Sequence, residues 1–254
     1  MEILLQEKDT SPLCQRDVKE RLPLHIAAEK GSIHCVEALS RCRGFSFHTQ
    51  QTDEIGRTPL HLAARYGHTK IGMLLVNSGA QVDARDCQGA TPLHVAACHN
   101  HVNIVRYFSS TSRADLNSRT LNGSKPIHSA AACGAIDVIK LLRYFRANLS
   151  ATDDNGLTAL HYTILTIHSK NLYNFVFSKM TSSDFPRTHV YYESYNHLAE
   201  IYQDSDGNIK NTKGYEWLNS LLYLILVGSD INATDTQGRT VLHIAAEKDR
   251  KSVV

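Results

Sequence analysis

Apolar and polar positions alternate along this chain in short blocks that fit pairs of helices. Apolar residues recur at helical spacing in several segments, namely Ile71, Leu74 and Leu75; Ile104 and Phe108; and Val138, Leu141 and Leu142. Each segment follows a short helix-forming stretch that ends at glycine or asparagine, and an Asp-x-x-Gly turn such as Asp53–Gly56 precedes most of these stretches. The pattern predicts a repeated unit of helix, turn, helix and projecting hairpin. One such unit cannot bury its apolar face without neighbours.

A seven-residue motif marks the first helix of each unit. The stretch from Thr58 to Ala64, TPLHLAA, recurs as TPLHVAA from Thr91 to Ala97, and weaker copies begin at residues 22, 125, 158 and 240. Threonine is a favourable N-cap residue, and proline is tolerated in the first helical turn, where its missing N–H needs no partner. The aligned histidines are separated by 36, 33, 34, 33 and 82 residues: His25, His61, His94, His128, His161 and His243.

The period near 33 residues and the T-P-L-H-x-A motif resemble the ankyrin repeat. This resemblance covers nearly the whole chain apart from one insertion. It implies an all-α fold, an ankyrin-repeat α-solenoid with short β-hairpin tips and about five and a half repeats. It also implies that the motif histidines hydrogen-bond backbone groups of neighbouring repeats and neither bind a metal nor catalyse a reaction.

The longest spacing, 82 residues between His161 and His243, places the insertion inside the fifth repeat. We expect a partial repeat at 1–20, comprising a second helix and a hairpin, and then repeats one to four and the start of five at 21–170. An aromatic-rich insertion occupies 171–213, and 214–254 holds the end of repeat five and a truncated repeat six. The insertion is either an extra helical pair on the solenoid edge or a docking element, because aromatic residues are enriched in interfaces. Neither end carries a polar capping repeat, so we expect a fragment.

Composition narrows the classes of function. The 27 basic and 25 acidic residues give a net charge of +2 without a long basic block, which argues against nucleic acid as a partner. No apolar run is long enough for a membrane span, and the first residues do not resemble a signal peptide. Six cysteines without C-x-x-C spacing indicate reduced thiols in the cytoplasm, with the nucleus as a second location.

Motifs for catalysis and metal binding are absent from the sequence. There is no phosphate-binding glycine loop, nucleophile elbow or H-E-x-x-H segment. The spacing of His99 and His101 predicts different faces of a turn, and no cysteine or carboxylate pattern accompanies them. We therefore expect no enzymatic activity, no cofactor and no metal.

The resemblance also implies which positions meet a partner: two tip residues, the residue before the motif threonine, and two residues after Ala-Ala. The chain would bind another protein or a peptide, as a monomer, through the concave helix face and the hairpin tips. These positions are Glu54, Ile55, Arg57, Arg65 and Tyr66; Gln88, Ala90, Cys98 and His99; Leu121, Asn122, Ser124 and Cys133; and Asp154 and Asn155. Arg57, Arg65, Tyr66 and His99 form a mildly basic, aromatic strip that suits an acidic or extended peptide.

Three classes of whole protein stay open. The chain is a stand-alone adaptor or scaffold, the N-terminal cytoplasmic arm of a TRP-type ion channel, or the recognition arm of an enzyme such as a ubiquitin ligase or a palmitoyltransferase. Separately, Leu224 and Asn232 have the Leu-x7-Asn spacing that the resemblance connects with asparagine hydroxylation in animals. The alternative is that Asn232 stabilises its hairpin through its own hydrogen bonds.

Overall fold

The computed structural model describes residues 14–42, 44–112, 114–166 and 212–251. Nearly all of the predicted insertion at 171–213 lies outside these ranges, as do the segment at 1–13 and the last three residues, so the expectations about them stay predictions. The chain divides into two compact units, Met1–Leu121 and Asn122–Val254, which are described separately.

The described residues of the first unit form three helix pairs and one short extra helix. Its inner helices are α1 (Pro23–Lys30), α4 (Pro59–Arg65) and α6 (Pro92–Cys98). Its outer helices are α2 (Ile33–Ser40), α5 (Thr69–Asn77) and α7 (Val102–Ser110). The extra helix α3 (Phe45–Thr49) lies between the first two pairs, where the histidine spacing is 36 residues. Sequence reasoning did not predict α3, which buries Phe45.

The second unit continues the same order of elements. In the ranges that the structure describes, its helices are α8 (Pro126–Ala132), α9 (Ile136–Tyr144), α10 (Ala159–Thr166), α11 (Thr212–Leu226) and α12 (Val241–Lys251). Helix α11 contacts both α9 and α10, and α12 contacts α10. Although α11 follows α10 only after a long stretch of sequence, it packs as the outer helix of the α10 repeat.

The core forms between inner helices, because the small residues of the motif let neighbouring helices approach. Both alanines of the motif are fully buried in α4 and α6, as are Leu60 and Leu93. Burial of a leucine side chain contributes about 1.5–3 kcal/mol, so the repeated motif supplies much of the stabilisation. The prediction of an all-α fold built from repeated helix pairs is confirmed.

The hairpin tips are tight turns rather than paired strands. In the second tip, Gly56 N donates to Asp53 O at 3.0 Å, and Asp53 N donates to Arg57 O at 3.0 Å. Among the described residues the only strand-type pairing outside helices is an isolated antiparallel bridge between Thr234 and Thr240. The tips are therefore present as predicted, but with almost no β ladder.

Candidate protein-binding surface

In three repeats the motif histidine bonds a backbone carbonyl that follows its own helix pair. Nδ1 of His61 accepts the Thr58 N–H at 3.1 Å, and Nε2 lies 3.0 Å from the carbonyl oxygen of Ala90 in the following repeat. A carbonyl can only accept, so Nε2 carries the proton and donates. His25 and His128 bond Arg57 O and Ala151 O in the same way, at 3.1 and 2.8 Å. The predicted bond between repeats is thus present for His25, His61 and His128, whereas Nε2 of His161 has no partner among the described residues.

Burial keeps these rings neutral. His25 and His61 are fully buried, and burial lowers the pKa of His25 from 6.5 to about 4. Burial lowers the pKa of His61 as well. Neutral rings at ordinary pH suit a structural bond to a carbonyl and leave no positive charge in the core.

A second family of donors, which sequence reasoning missed, links the repeats at the other end of the inner helix. His68 Nε2 bonds the carbonyl oxygen of Glu29 at 3.1 Å, and His101 Nε2 bonds that of Arg65 at 2.8 Å. Each acceptor is the fourth residue after the motif histidine, near the end of an inner helix where backbone carbonyls lack helical partners. These side chains satisfy carbonyls that the helix leaves unpaired.

In the second unit, other residues bond the carbonyl oxygens at the ends of the inner helices. The indole N–H of Trp217 donates to Ala132 O at 2.8 Å, and the ammonium group of Lys248 donates to Leu165 O. Ala132 and Leu165 again stand four residues after the motif histidine. Because the donors are imidazole, indole and ammonium groups, no single sequence motif could have revealed them.

Four predicted contact residues of the first unit lie at the ends of its inner helices: Arg65, Tyr66, Cys98 and His99. Arg65 and Tyr66 follow the alanine pair of α4; Arg65 is exposed, and Tyr66 exposes 46% of its surface. The Arg65 guanidinium carbon lies 6.0 Å from the centroid of the Tyr66 ring, a cation–π contact, and that ring stacks on His68 at 6.2 Å. The tyrosine is thus held in place by a ring that is itself hydrogen-bonded to the neighbouring repeat.

The structure corrects the expectation for His99 and His101. The two rings stack at 6.1 Å with an interplanar angle of 10°, so they lie on one side of the turn and not on different faces. Burial lowers the pKa of His101. No group of three or more potential ligands that could hold a metal ion occurs in the part of the chain that the structure describes.

Arg57 contributes less to the basic strip than the sequence indicates. Its guanidinium group bonds Asp53 Oδ2, with Nε at 2.9 Å and Nη2 at 2.8 Å, and the Asp53 side chain is fully buried. The charge of Arg57 is therefore compensated inside its own tip. Arg65 remains as the exposed positive charge beside Tyr66.

The remaining tip positions divide into exposed and buried ones. Glu54, Ile55 and Gln88 are exposed, Leu121 exposes 76% of its surface, and Ala90 is half-buried. In the second unit, Asn122, Asp154, Asn155 and Asn232 are exposed.

Ser124 departs from the expectation because it is buried, with 7% of its surface exposed. Its hydroxyl lies 2.5 Å from the hydroxyl of Tyr162, which donates to Asp153 Oδ2 at 3.0 Å. In other tips this carboxylate oxygen is bonded by an arginine four residues on, but Leu157 stands there in this repeat. Tyr162 supplies the missing donor, and the Ser124 hydroxyl is engaged by a side chain of the following repeat.

The cysteines also correct an expectation. Cys14, Cys35, Cys42 and Cys87 are free thiols, as predicted, but Cys98 and Cys133 are disulfide-bonded. Both disulfide-bonded residues are half-buried. The expectation of six reduced thiols is wrong for these two, and their sulfur atoms are not available as free contact groups.

Comparison with known proteins agrees with this geometry. The model for ankyrin repeats in three copies matches residues 24–120, and the model for many copies matches 99–143 and 127–166. The chain is similar to palmitoyltransferase AKR1 of Lachancea kluyveri, with 35% identity over 115 residues that cover 44% of this chain and 16% of that protein. It is similar to NF-kappa-B inhibitor alpha of Sus scrofa, with 40% identity over 74 residues, 28% of this chain and 24% of the inhibitor.

A viral relative matches over a longer stretch. Putative ankyrin repeat protein L371 of Acanthamoeba polyphaga mimivirus is 25% identical over 243 residues, which cover 89% of this chain and 26% of that protein. The chain thus spans about a quarter or less of the length of these relatives. Within the described ranges no helix is both long and apolar enough to cross a membrane. The repeated motif, the histidine bonds between repeats and both family matches agree, and the chain belongs to the ankyrin repeat family.

Proposed function

We propose that this chain is a non-catalytic interaction module, an adaptor or scaffold, that binds a partner protein through its tips and the ends of its inner helices. The observation that carries this proposal is the Arg65–Tyr66 pair at the end of α4. Both side chains are exposed, and they contact each other at 6.0 Å. Tyrosine and arginine are the residue types that most often dominate the energy of protein interfaces.

The support beneath Tyr66 makes it a favourable contact residue. Its ring stacks on His68 at 6.2 Å, and His68 is hydrogen-bonded to Glu29 O at 3.1 Å. A side chain that is already ordered loses little conformational entropy when a partner covers it. Little of the binding free energy gained by burying the ring is therefore offset by a loss of side-chain entropy.

The relatives support a regulatory role by binding. One of them is named as an inhibitor, which acts on another protein, NF-kappa-B. We propose that this chain likewise acts by holding a protein partner. We propose a cytoplasmic or nuclear location: the exposed free thiols of Cys35 and Cys87 support it, whereas the disulfide state of Cys98 and Cys133 argues against it. Fractionation of cells that produce the protein tests this location.

A second candidate is the recognition arm of a palmitoyltransferase. The observation that favours it is the 35% identity to palmitoyltransferase AKR1, which extends over 115 residues. In this case the binding surface would be the same, and catalysis would belong to another part of the longer protein. Sequencing the transcript beyond Val254 separates the two candidates, and also tests the ion-channel and ubiquitin-ligase alternatives.

The experiment is affinity capture with the full chain, followed by identification of the partner and measurement of its affinity. We expect Tyr66→Ala to weaken the binding of the identified partner by at least about tenfold, because a buried tyrosine contact contributes upwards of about 2 kcal/mol. Tyr144→Ala is the matched control, because Tyr144 is 76% exposed but lies on the outer helix α9. Equal loss in both variants, or loss in neither, contradicts the proposed surface.

Two further predictions have their own tests. Deletion of residues 178–213 asks whether the insertion is the docking element; loss of binding in a still-helical protein would move the site there. Hydroxylation of Asn232 is tested by mass spectrometry of protein from animal cells, which would show one added oxygen on the peptide containing this residue.

A further inference from the structure

Each inner helix of the first unit packs against the next one along the chain. Helix α4 contacts both α1 and α6, so two of its faces are covered. The residues of these faces each expose 1% or less of their surface: Leu60, His61, Leu62 and Ala64. His61 belongs to the face towards α6, because its Nε2 bonds Ala90 O in the following repeat. An inner helix with a neighbour on one side only therefore keeps one such face open.

Helix α1 has its first face open. It contacts α4, and no inner helix precedes it within the described ranges. Ile26 exposes 38% of its surface, whereas Leu62, at the same position of α4, exposes 1%. Pro23 is half-buried, whereas its counterpart Pro59 is buried. Pro23, Ile26 and Leu39 line an apolar groove of about 590 Å³ between α1 and α2. The face of α1 that a preceding inner helix would cover is therefore open and apolar.

Helix α12 has the opposite face open. It packs on α10, and Val241 and Ile244, which correspond to the open residues of α1, are buried. By contrast, Leu242 is half-buried, and His243 and Ala246 are exposed. The counterparts of these three residues in α4 and α6 are all buried, because an inner helix follows each of them or lies beside the next repeat. Within the described ranges nothing covers this face of α12.

Hydrogen-bonding groups at the two open faces also correspond. His25 Nε2 bonds Arg57 O, the carbonyl oxygen of the residue directly before the next motif, and this oxygen also accepts the Asp53 N–H at 3.0 Å. Arg21 is the residue before the motif of α1, and its carbonyl oxygen accepts one backbone N–H, at 3.0 Å. A carbonyl oxygen has two lone pairs, so Arg21 O has room for a second donor. His243 Nε2 has no acceptor within the described ranges.

We propose that copies of this chain associate head to tail, with α12 of one copy stacked on α1 of the next. The contact continues the packing of α1 on α4: Leu242 and Ala246 of one copy meet Ile26 of the next, and His243 Nε2 donates to Arg21 O. The two faces differ, so the interface is heterologous, and every added copy leaves one open face at either end. The monomer expected from the sequence is then the species at low protein concentration.

The test is sedimentation velocity of the full chain over a wide range of protein concentration. We expect the weight-average sedimentation coefficient to rise with concentration and to exceed that of a dimer, because a heterologous contact does not close after two copies. Tyr66→Ala should associate in the same way as the native chain. Self-association is thereby separated from the proposed partner surface, which depends on Tyr66.

Variants of the two faces locate the contact. Ile26→Glu and Ala246→Glu should each weaken self-association by at least about tenfold, because each buries a charge without a partner in the interface. An equimolar mixture of the two variants should form dimers and nothing larger, since the first keeps an intact α12 face and the second an intact α1 face. Met73→Glu is the matched control, because Met73 exposes 40% of its surface on the outer helix α5, close to the 38% of Ile26. Circular dichroism confirms that each variant remains folded.

Three results overturn the proposal. A native chain that stays monomeric at every concentration shows that the open faces do not bind each other, and leaves the α1 groove to another protein or to another segment of the chain. Equal loss of association in Met73→Glu shows that the contact does not lie at the ends of the stack. A mixture of Ile26→Glu and Ala246→Glu that forms no dimer shows that the two faces are not partners.

Discussion

Replacing His61 by alanine should destabilise the protein by about 3 kcal/mol, mainly through groups that lose their partners. The His61 ring is fully buried. Its removal leaves the Thr58 N–H and the Ala90 carbonyl without the bonds that measure 3.1 and 3.0 Å. Each unpaired buried group costs about 1–3 kcal/mol, so two groups at the low end and the lost packing of the ring give this total.

His243→Ala is the matched control, because the same motif occurs there in an exposed setting. Nδ1 of His243 accepts the Thr240 N–H at 3.3 Å, but the ring is exposed. Water can replace the lost bond, so the cost should be that of an N-terminal helix cap, about 1 kcal/mol. The difference of about 2 kcal/mol between the variants isolates burial and the bond to the following repeat.

The assay is urea denaturation followed by far-ultraviolet circular dichroism near neutral pH. At an m-value of about 2 kcal/mol/M, the His61 variant should lose about 1.5 M in the midpoint, and the His243 variant about 0.5 M. The midpoints are comparable only if the m-values of the variants agree. Equal midpoints for the two variants would refute the reasoning, because burial would then add nothing.

Four further predictions follow from the same contacts. The free energy of unfolding should fall as the pH drops from about 6.5 towards 4, because His25 binds a proton in the unfolded chain at a higher pH than in the folded protein, where its pKa is about 4. This one residue contributes up to about 3 kcal/mol. Unchanged urea midpoints between neutral pH and about pH 5 would contradict this prediction. Tyr162→Phe should cost about 1–2 kcal/mol in urea denaturation, because Ser124 and Asp153 both lose a partner, whereas Tyr144→Phe should be neutral. Trp217→Phe should lower the free energy of unfolding by about 1 kcal/mol or more, because the Ala132 carbonyl loses its donor. A smaller decrease than that of a substitution at an exposed site would argue against this hydrogen bond. Thiol titration of the denatured, unreduced protein should give four reactive groups, rising to six after reduction; six at the outset would contradict the disulfide state of Cys98 and Cys133.

The fold was predictable because its information is local and repeated. Thr58, Pro59 and His61 specify the start of an inner helix by themselves, and the same residues recur one period later. Alanines at 63 and 64 are buried, as the need for close helix approach predicts. The extra helix α3 was not predicted, because Phe45–Thr49 has no counterpart in the other described repeats.

The binding surface was less predictable than the fold, because contacts with other side chains decide whether a residue can meet a partner. Arg57 and Ser124 occupy contact positions of the family, yet Asp53 and Tyr162 engage them within the fold. Nothing at position 124 itself indicates that a tyrosine 38 residues later reaches its hydroxyl. The donors His68 and Trp217 were missed for a similar reason, since their role is defined by a carbonyl in another repeat.

The hydrogen bonds at the ends of the inner helices require matching residues in adjacent repeats. Gly31 and Gly67 have φ angles of 73° and 72°, and an added Cβ at these sites would approach the His68 and His101 rings to 2.5 and 2.6 Å. A repeat that brings a histidine to this junction therefore needs a glycine in the turn of the repeat before it. Recombination that exchanged single repeats would separate these partners, whereas duplication of two adjacent repeats would carry the pair together. Shuffled chimaeras should therefore tolerate cuts that leave each glycine with its histidine.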